Sequence, residues 1–199
     1  MLDQLLATCA AGRPSDLRDR ALLLVAFASG GRRRSEAAAL RVADLIEREP
    51  VPADPQKPDG PTLPALAVRL GRTKTASAEQ DERVLLIGRP VEALRAWLDA
   101  AGIQKGAVFR EITRWGHLGR TALDPQSVNA ILKKRCAQAG LDPNTFSAHG
   151  LRSGYLTEAA RRGVSLQEAM RQSRHRSVQQ ASSYYNEIEI ERGDSARLG

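Results

Sequence analysis

Ser29-Gly30-Gly31-Arg32-Arg33-Arg34-Ser35-Glu36 divides two stretches of helical character and sets three arginines at the mouth of the second. Before it, residues 17–29 carry apolar side chains at helical spacing through Leu22, Leu23, Ala26 and Phe27, with Ser15 or Asp16 as the expected cap. After it, residues 35–45 are alanine-rich with few β-branched side chains, which predicts a second helix with Ala38 and Leu45 on its inner stripe. The glycine pair ends one helix and the arginines open the next, where unpaired backbone amides and the helix dipole favour an anion.

Outward from this junction, residues 47–64 are crowded with Pro50, Pro52, Pro55, Pro58, Pro61 and Pro64, which predicts a mobile surface loop with no helix or central strand. Leu66-Ala67-Val68-Arg69-Leu70 and Arg83-Val84-Leu85-Leu86-Ile87 read as the strands of a hairpin, and its polar turn, residues 72–81, carries Lys74. Residues 91–101 read as a helix stopped by Gly102. Asp124-Pro125 pairs a capping side chain with a proline at the first helical position and opens a helix that ends at Gly140. Gly163 ends another helix, and Ser165 with Glu168, then Ser177 with Gln180, mark two further starts. The pattern is α+β in class, mainly α-helical with a small antiparallel β-sheet, in a single domain over residues 1–199.

With Lys+Arg 30 against Asp+Glu 23, the 199-residue chain carries a net charge of +7. Its only lysines are Lys57, Lys74, Lys105, Lys133 and Lys134, so the excess is arginine, whose planar fork grips phosphate through two bonds at once. A polyanionic partner is favoured, although a high-GC genome accounts for the same composition. Cys9 and Cys136 lie far apart and outside any C-x-x-C spacing, so they are expected as core thiols. The longest apolar run, residues 21–28, is too short to span a bilayer, and the N-terminus lacks the basic region and apolar core of a secretory signal. A soluble cytosolic protein is expected.

Two constellations carry chemistry. In His149-Gly150-Leu151-Arg152 the three-residue separation puts an imidazole and a guanidinium on one face of a helix's first turn. His175 and Tyr184 lie nine residues apart, and nine steps of about 100° would set them on opposite sides of one straight helix, so acting together requires a bend or separate elements. Lys133-Lys134-Arg135 reads as a solvated face or a phosphate-tracking stripe. His117, in Arg114-Trp115-Gly116-His117, reads as a loop histidine facing solvent or nucleic acid, with Trp115 packed beneath it.

Together these boxes resemble the tyrosine recombinase, or phage integrase, family. Ser29 to Leu45 is similar to the family's first-arginine motif, G-x-R-x-S-E followed by L-R-x-x-D, and that register points to Arg33. Leu70-Gly71-Arg72-Thr73-Lys74-Thr75 resembles the lysine-bearing β-hairpin, His149-Gly150-Leu151-Arg152 the H-x-L-R box, and His175 with Tyr184 the spacing of the last histidine and the nucleophile. The resemblance covers the family's catalytic domain and leaves its N-terminal DNA-clamping domain without a counterpart. Arg32 and Arg34 stand where the family usually has apolar neighbours, and Tyr185 adjoins the nucleophile position.

The resemblance implies a site-specific DNA recombinase or integrase acting through a 3′-phosphotyrosyl intermediate with no metal, ATP or other cofactor. Tyr184 would attack, Arg33 and Arg152 would hold the phosphate oxygens, His149 would accept the phenol proton, Lys74 would protonate the departing 5′-oxygen, and His175 would support the phosphate. Glu36 would orient its basic neighbours. Double-stranded DNA and a tetramer of this chain on DNA are the implied partners, with no membrane and no small-molecule substrate. Residues 186–199 are expected as a tail docking on a neighbouring copy, and the address is cytoplasmic and nucleoid-associated. A non-catalytic DNA-binding module of the same fold and a type IB topoisomerase-like DNA relaxation remain the alternatives.

Overall fold

The computed structural model describes residues 1–70, 83–147, 150–175 and 177–193. Leu2–Ala7 (α1) and Pro14–Ala28 (α2) open the chain. Residues 21–26 of α2 are all buried, so this helix is covered on every side and forms the axis of the main core. It starts earlier than its apolar pattern, because Pro14 needs no hydrogen-bond partner at the first helical position. Asp16, expected as a cap, instead lies buried in the first turn.

Arg34–Ala38 (α3) is shorter than the alanine-rich run predicted. The Leu40 carbonyl accepts from Val108 N–H at 2.9 Å and Val42 N–H donates to the Gly106 carbonyl at 2.9 Å, bridging Arg41 to Ala107. This long-range pairing overrides local helix propensity. After a 3-10 turn at Val42–Asp44, a three-stranded antiparallel sheet forms in the order β1 (Leu45–Pro52), β2 (Thr62–Arg69), β3 (Arg83–Ile87).

The hairpin of β2 and β3 agrees with the sequence, and its turn lies outside the described residues. The proline-rich segment does not agree, since residues 47–52 and 62–64 are strand. Pro50 and Pro52 are tolerated because β1 is an edge strand, with its register shifted between Arg48 and Val51. In β2, Pro64 lies opposite that irregularity and offers its carbonyl to Gly88 N–H at 2.8 Å.

Arg89–Ala100 (α4) packs on α2 and buries Trp97, whose indole N–H donates to the Val108 carbonyl at 2.8 Å. A second hairpin, β4 (Arg110–Ile112) with β5 (Leu118–Ala122), was not legible in the sequence. At its tip Trp115 is exposed and stacked with Arg114, not packed beneath His117. Pro125–Gln138 (α5) starts as predicted, the Asp124 carboxylate accepting from Gln126 N–H at 2.6 Å.

Arg135, read as part of a solvated stripe, is buried. Its guanidinium reaches Asp16 at 2.8 Å, Asp19 at 2.6 Å and the Thr8 carbonyl at 2.8 Å, tying α5 to α2 and the end of α1. The carboxylates compensate a charge that sequence periodicity alone assigned to water. Cys9 and Cys136 are core thiols, as expected.

Gly150–Arg161 (α6), Leu166–Ser173 (α7) and Val178–Arg192 (α8) close the described fold. They share a second, smaller core of Leu156, Ala159, Ala160, Ala169, Ala181, Tyr185 and Ile188. Residues 186–192, expected as the start of a tail, continue α8. No helix among the described residues is long and apolar enough to cross a membrane.

Candidate functional site

The junction quoted at the outset is where the helices converge. Gly30 and Gly31 adopt φ of +91° and +71°, a left-handed backbone that side chains disfavour. Each is also pressed against a neighbouring main chain. A Cβ at Gly30 would collide with the Ser173 and Gln172 backbone at the end of α7, and one at Gly31 with the Arg152 backbone in the first turn of α6. The absence of two side chains therefore brings the α2–α3 loop, α6 and α7 together.

A cleft of about 410 Å³ opens beside this contact, lined by Gly31, Arg32, Arg33, Arg34, Ser35, Asn129, Ser147 and Arg152. Arg33 and Arg152, singled out from separate sequence boxes, thus face one space. Arg33 N–H, at the N-cap of α3, donates to Glu36 Oε2 at 3.2 Å, so Glu36 fixes the backbone from which the Arg33 side chain departs. Asn129 and Ser147 were missed: a lone amide and a lone hydroxyl carry no motif, and only the approach of α5 and the 141–147 loop to α3 brings them in.

Arg32 is structural. Its Nη2 donates to the Ser29 and Gln172 carbonyls at 2.6 and 2.7 Å, and its Nε to Ser29 at 2.8 Å. The Gln172 side-chain amide in turn donates to the Ala28 carbonyl at 2.8 Å and the Leu85 carbonyl at 2.7 Å. One residue of α7 therefore binds the end of α2, the arginine loop and strand β3. The Ser173 hydroxyl, next in sequence, shares a 2.7 Å hydrogen bond with His175 Nδ1.

Burial pushes the Arg32 guanidinium down to about 10; Glu36 opposes the shift, while Arg152, Arg174 and Arg33 add to it. Arg152 is lowered in the same way, chiefly by burial, with Glu36 opposing and Arg33 adding. Cations crowded this closely repel one another, and an anion seated among them would relieve the repulsion.

His175 lies in the turn between α7 and α8, and Tyr184 on α8, so the two belong to separate elements. Neither lines the cleft. The adjacent tyrosines differ: Tyr184 is half-buried at the margin of the second core, whereas Tyr185 is 6% exposed inside it. Burial, then Glu168, pushes the Tyr185 phenol up, and its hydroxyl has no hydrogen-bond partner among the described residues. Tyr155 is pushed up to about 12, by burial first and then Tyr185 and Glu168. Lys74 and His149 lie outside the described residues.

The family model described as "Phage integrase family" matches residues 1–191. The integrase/recombinase XerD homolog of Selenomonas ruminantium is 34% identical over 182 residues, covering 88% of this chain and 49% of that protein. Tyrosine recombinase XerD of Xanthomonas campestris pv. campestris is 29% identical over 192 residues, covering 92% and 52%. The chain therefore spans about half the length of these curated relatives.

Among solved structures, the XerH site-specific recombinase bound to palindromic difH substrate, in a post-cleavage complex, superposes with a TM-score of 0.67. Identity there is 18%, with 99% of this chain and 51% of that one covered. XerA recombinase gives a TM-score of 0.66 at 18% identity, with 100% and 62% covered. These two likenesses carry the fold, while the family model extends over the motifs from Arg33 to Tyr184: the chain belongs to the phage integrase family.

Proposed function

We propose that this chain is the catalytic domain of a site-specific DNA recombinase that breaks and rejoins strands by transesterification. The observation that carries the reading is the convergence of Arg33 and Arg152 on one cation-rich cleft. Two guanidiniums can each hold a nonbridging phosphate oxygen and stabilise the charge that builds at phosphorus. In the step proposed, the Tyr184 phenol oxygen bonds to phosphorus as the bond to the 5′-oxygen breaks. His149 takes the phenol proton and Lys74 supplies one to the 5′-oxygen. The resulting 3′-phosphotyrosyl link preserves the bond energy, so a second strand's 5′-hydroxyl can displace the tyrosine without ATP or a metal ion.

In the same scheme His175, hydrogen-bonded to the Ser173 hydroxyl, supports the phosphate once α8 carries Tyr184 to the cleft. The burial of Tyr185 favours Tyr184 as the nucleophile, because a phenol held in an apolar core is both inaccessible and hard to ionise. Double-stranded DNA is the proposed substrate; XerH, a site-specific recombinase of this fold, is bound to difH substrate in pre-cleavage and post-cleavage complexes. A tetramer on DNA, docking of residues 186–199 onto a neighbouring copy, and a nucleoid-associated cytoplasmic address belong to the same proposal.

Covalent trapping tests it. Incubated with nicked duplexes whose cleaved end diffuses away, the wild type should yield a DNA-linked band that survives SDS. Tyr184→Phe should abolish that band and Tyr185→Phe should retain it. Loss only in Tyr185→Phe would move the nucleophile by one residue; no adduct in any form, including a fusion to a DNA-clamping domain, would leave a binding-only module.

A further inference from the structure

Trp115 is 71% exposed, more than any other large apolar side chain among the described residues, and the proposed chemistry does not use it. It stands at the tip of the β4–β5 hairpin, with the Arg114 guanidinium 4.3 Å from the ring centroid. The tip is tightly closed. Thr113 N–H donates to the His117 carbonyl and Gly116 N–H to the Thr113 carbonyl, both at 2.9 Å, while His117 N–H donates to Thr113 Oγ1 at 3.1 Å.

The hairpin's root is equally fixed. Val108 N–H donates to the Leu40 carbonyl just after α3, and Leu123 N–H to the Phe109 carbonyl just before α5. Arg110 holds the Lys105 and Ala107 carbonyls at 2.7 and 2.9 Å. The tip is therefore a built projection, rooted between the helices that give Arg34, Ser35 and Asn129 to the cleft.

An exposed indole on a rigid turn calls for a surface that offers apolar area and negative charge together. Arg114, His117 and Arg120 are exposed along the hairpin, against the single acid Glu111. Duplex DNA meets the requirement, since apolar deoxyribose faces lie between the phosphates along each strand. We propose that the β4–β5 tip is a second DNA contact, in which Trp115 packs against duplex flanking the scissile phosphate while Arg114 and Arg120 meet its phosphates. This contact rests on the DNA reading above and lies outside the catalytic cleft.

The chain's two tryptophans make the test direct, because Trp97 is fully buried and bonded to the Val108 carbonyl. Acrylamide quenching of wild type and Trp115→Phe, with and without saturating random-sequence duplex, isolates the Trp115 signal. DNA should shield Trp115 by about threefold or more. Trp115→Ala should weaken duplex affinity by about five- to tenfold with an unchanged melting temperature, as expected for one lost aromatic contact.

Arg120→Gln should lower the slope of log affinity against log salt by about 1. If Trp115 is as quenchable with bound duplex as without, the contact is refuted while DNA binding stands. Shielding that grows with protein concentration alone would assign the tip to a second copy and overturn the proposal. Absence of any binding in fluorescence anisotropy would sink the DNA reading itself, and this contact with it.

Discussion

At the scale of single residues, the site depends first on side chains that are missing. Gly31 combines a φ of +71° with backbone contact to Arg152, so even a methyl group must both accept a left-handed conformation and push a helix away. Gly31→Ala is expected to cost about 3 kcal/mol, from roughly 1–2 for the backbone and a similar amount for overpacking. Urea unfolding would register this as a lower midpoint with an unchanged slope, and a midpoint within error of wild type would contradict the packing described. Part of this was legible: the glycine pair, and Arg33 and Arg152 that now line one cleft, are visible as letters. The buried role of Arg32 was not, because three consecutive arginines look alike in sequence, and only tertiary carbonyls at Ser29 and Gln172 distinguish one from the others.

At the scale of elements, Gln172 is the crossing point. From α7 it grips the end of α2 and strand β3 with its amide, and its own carbonyl receives Arg32. Replacing it by leucine keeps the volume and removes both side-chain bonds. The expected result is a rate of covalent adduct formation lowered about tenfold, about 1.4 kcal/mol in the barrier, with duplex affinity within about twofold of wild type. Reduced affinity at an unchanged rate would assign Gln172 to DNA binding instead of alignment. Strands β2 and β3, the start of α5 at Asp124 and the stop at Gly163 followed from local signals. The ends of α3 and the strand character of residues 47–52 did not, because pairing with residues 106–108 and with β2 settles them, and neither partner is local.

For the whole molecule, the decisive ionic feature is the Arg135 hub beneath α1, α2 and α5. Burial alone would raise the Asp16 carboxyl, yet hydrogen bonds from Arg13 and Arg135 hold it below the ordinary carboxylate value. A carboxyl whose pKa is lowered by folding adds stability above its unfolded value, about 3.9, and loses it as pH falls toward the folded one. Stability should therefore decline as the pH drops below about 4, and Asp16→Asn should flatten that decline while being less stable at pH 7. Arg135→Met, which leaves Asp16 with Arg13 and Asp19 with Arg18 as their remaining guanidinium partners, should cost about 2–3 kcal/mol in chemical denaturation; a cost below about 1 would show that the hub is dispensable.

The pinch at Gly30 and Gly31 also bears on how this chain can change. Two neighbouring positions admit no side chain, so mutational drift at the heart of the cleft is confined to its lining, to which Arg34, Ser35, Asn129 and Ser147 belong. A library aimed at new substrates would find its tolerant codons there, and a dead zone only a few residues away.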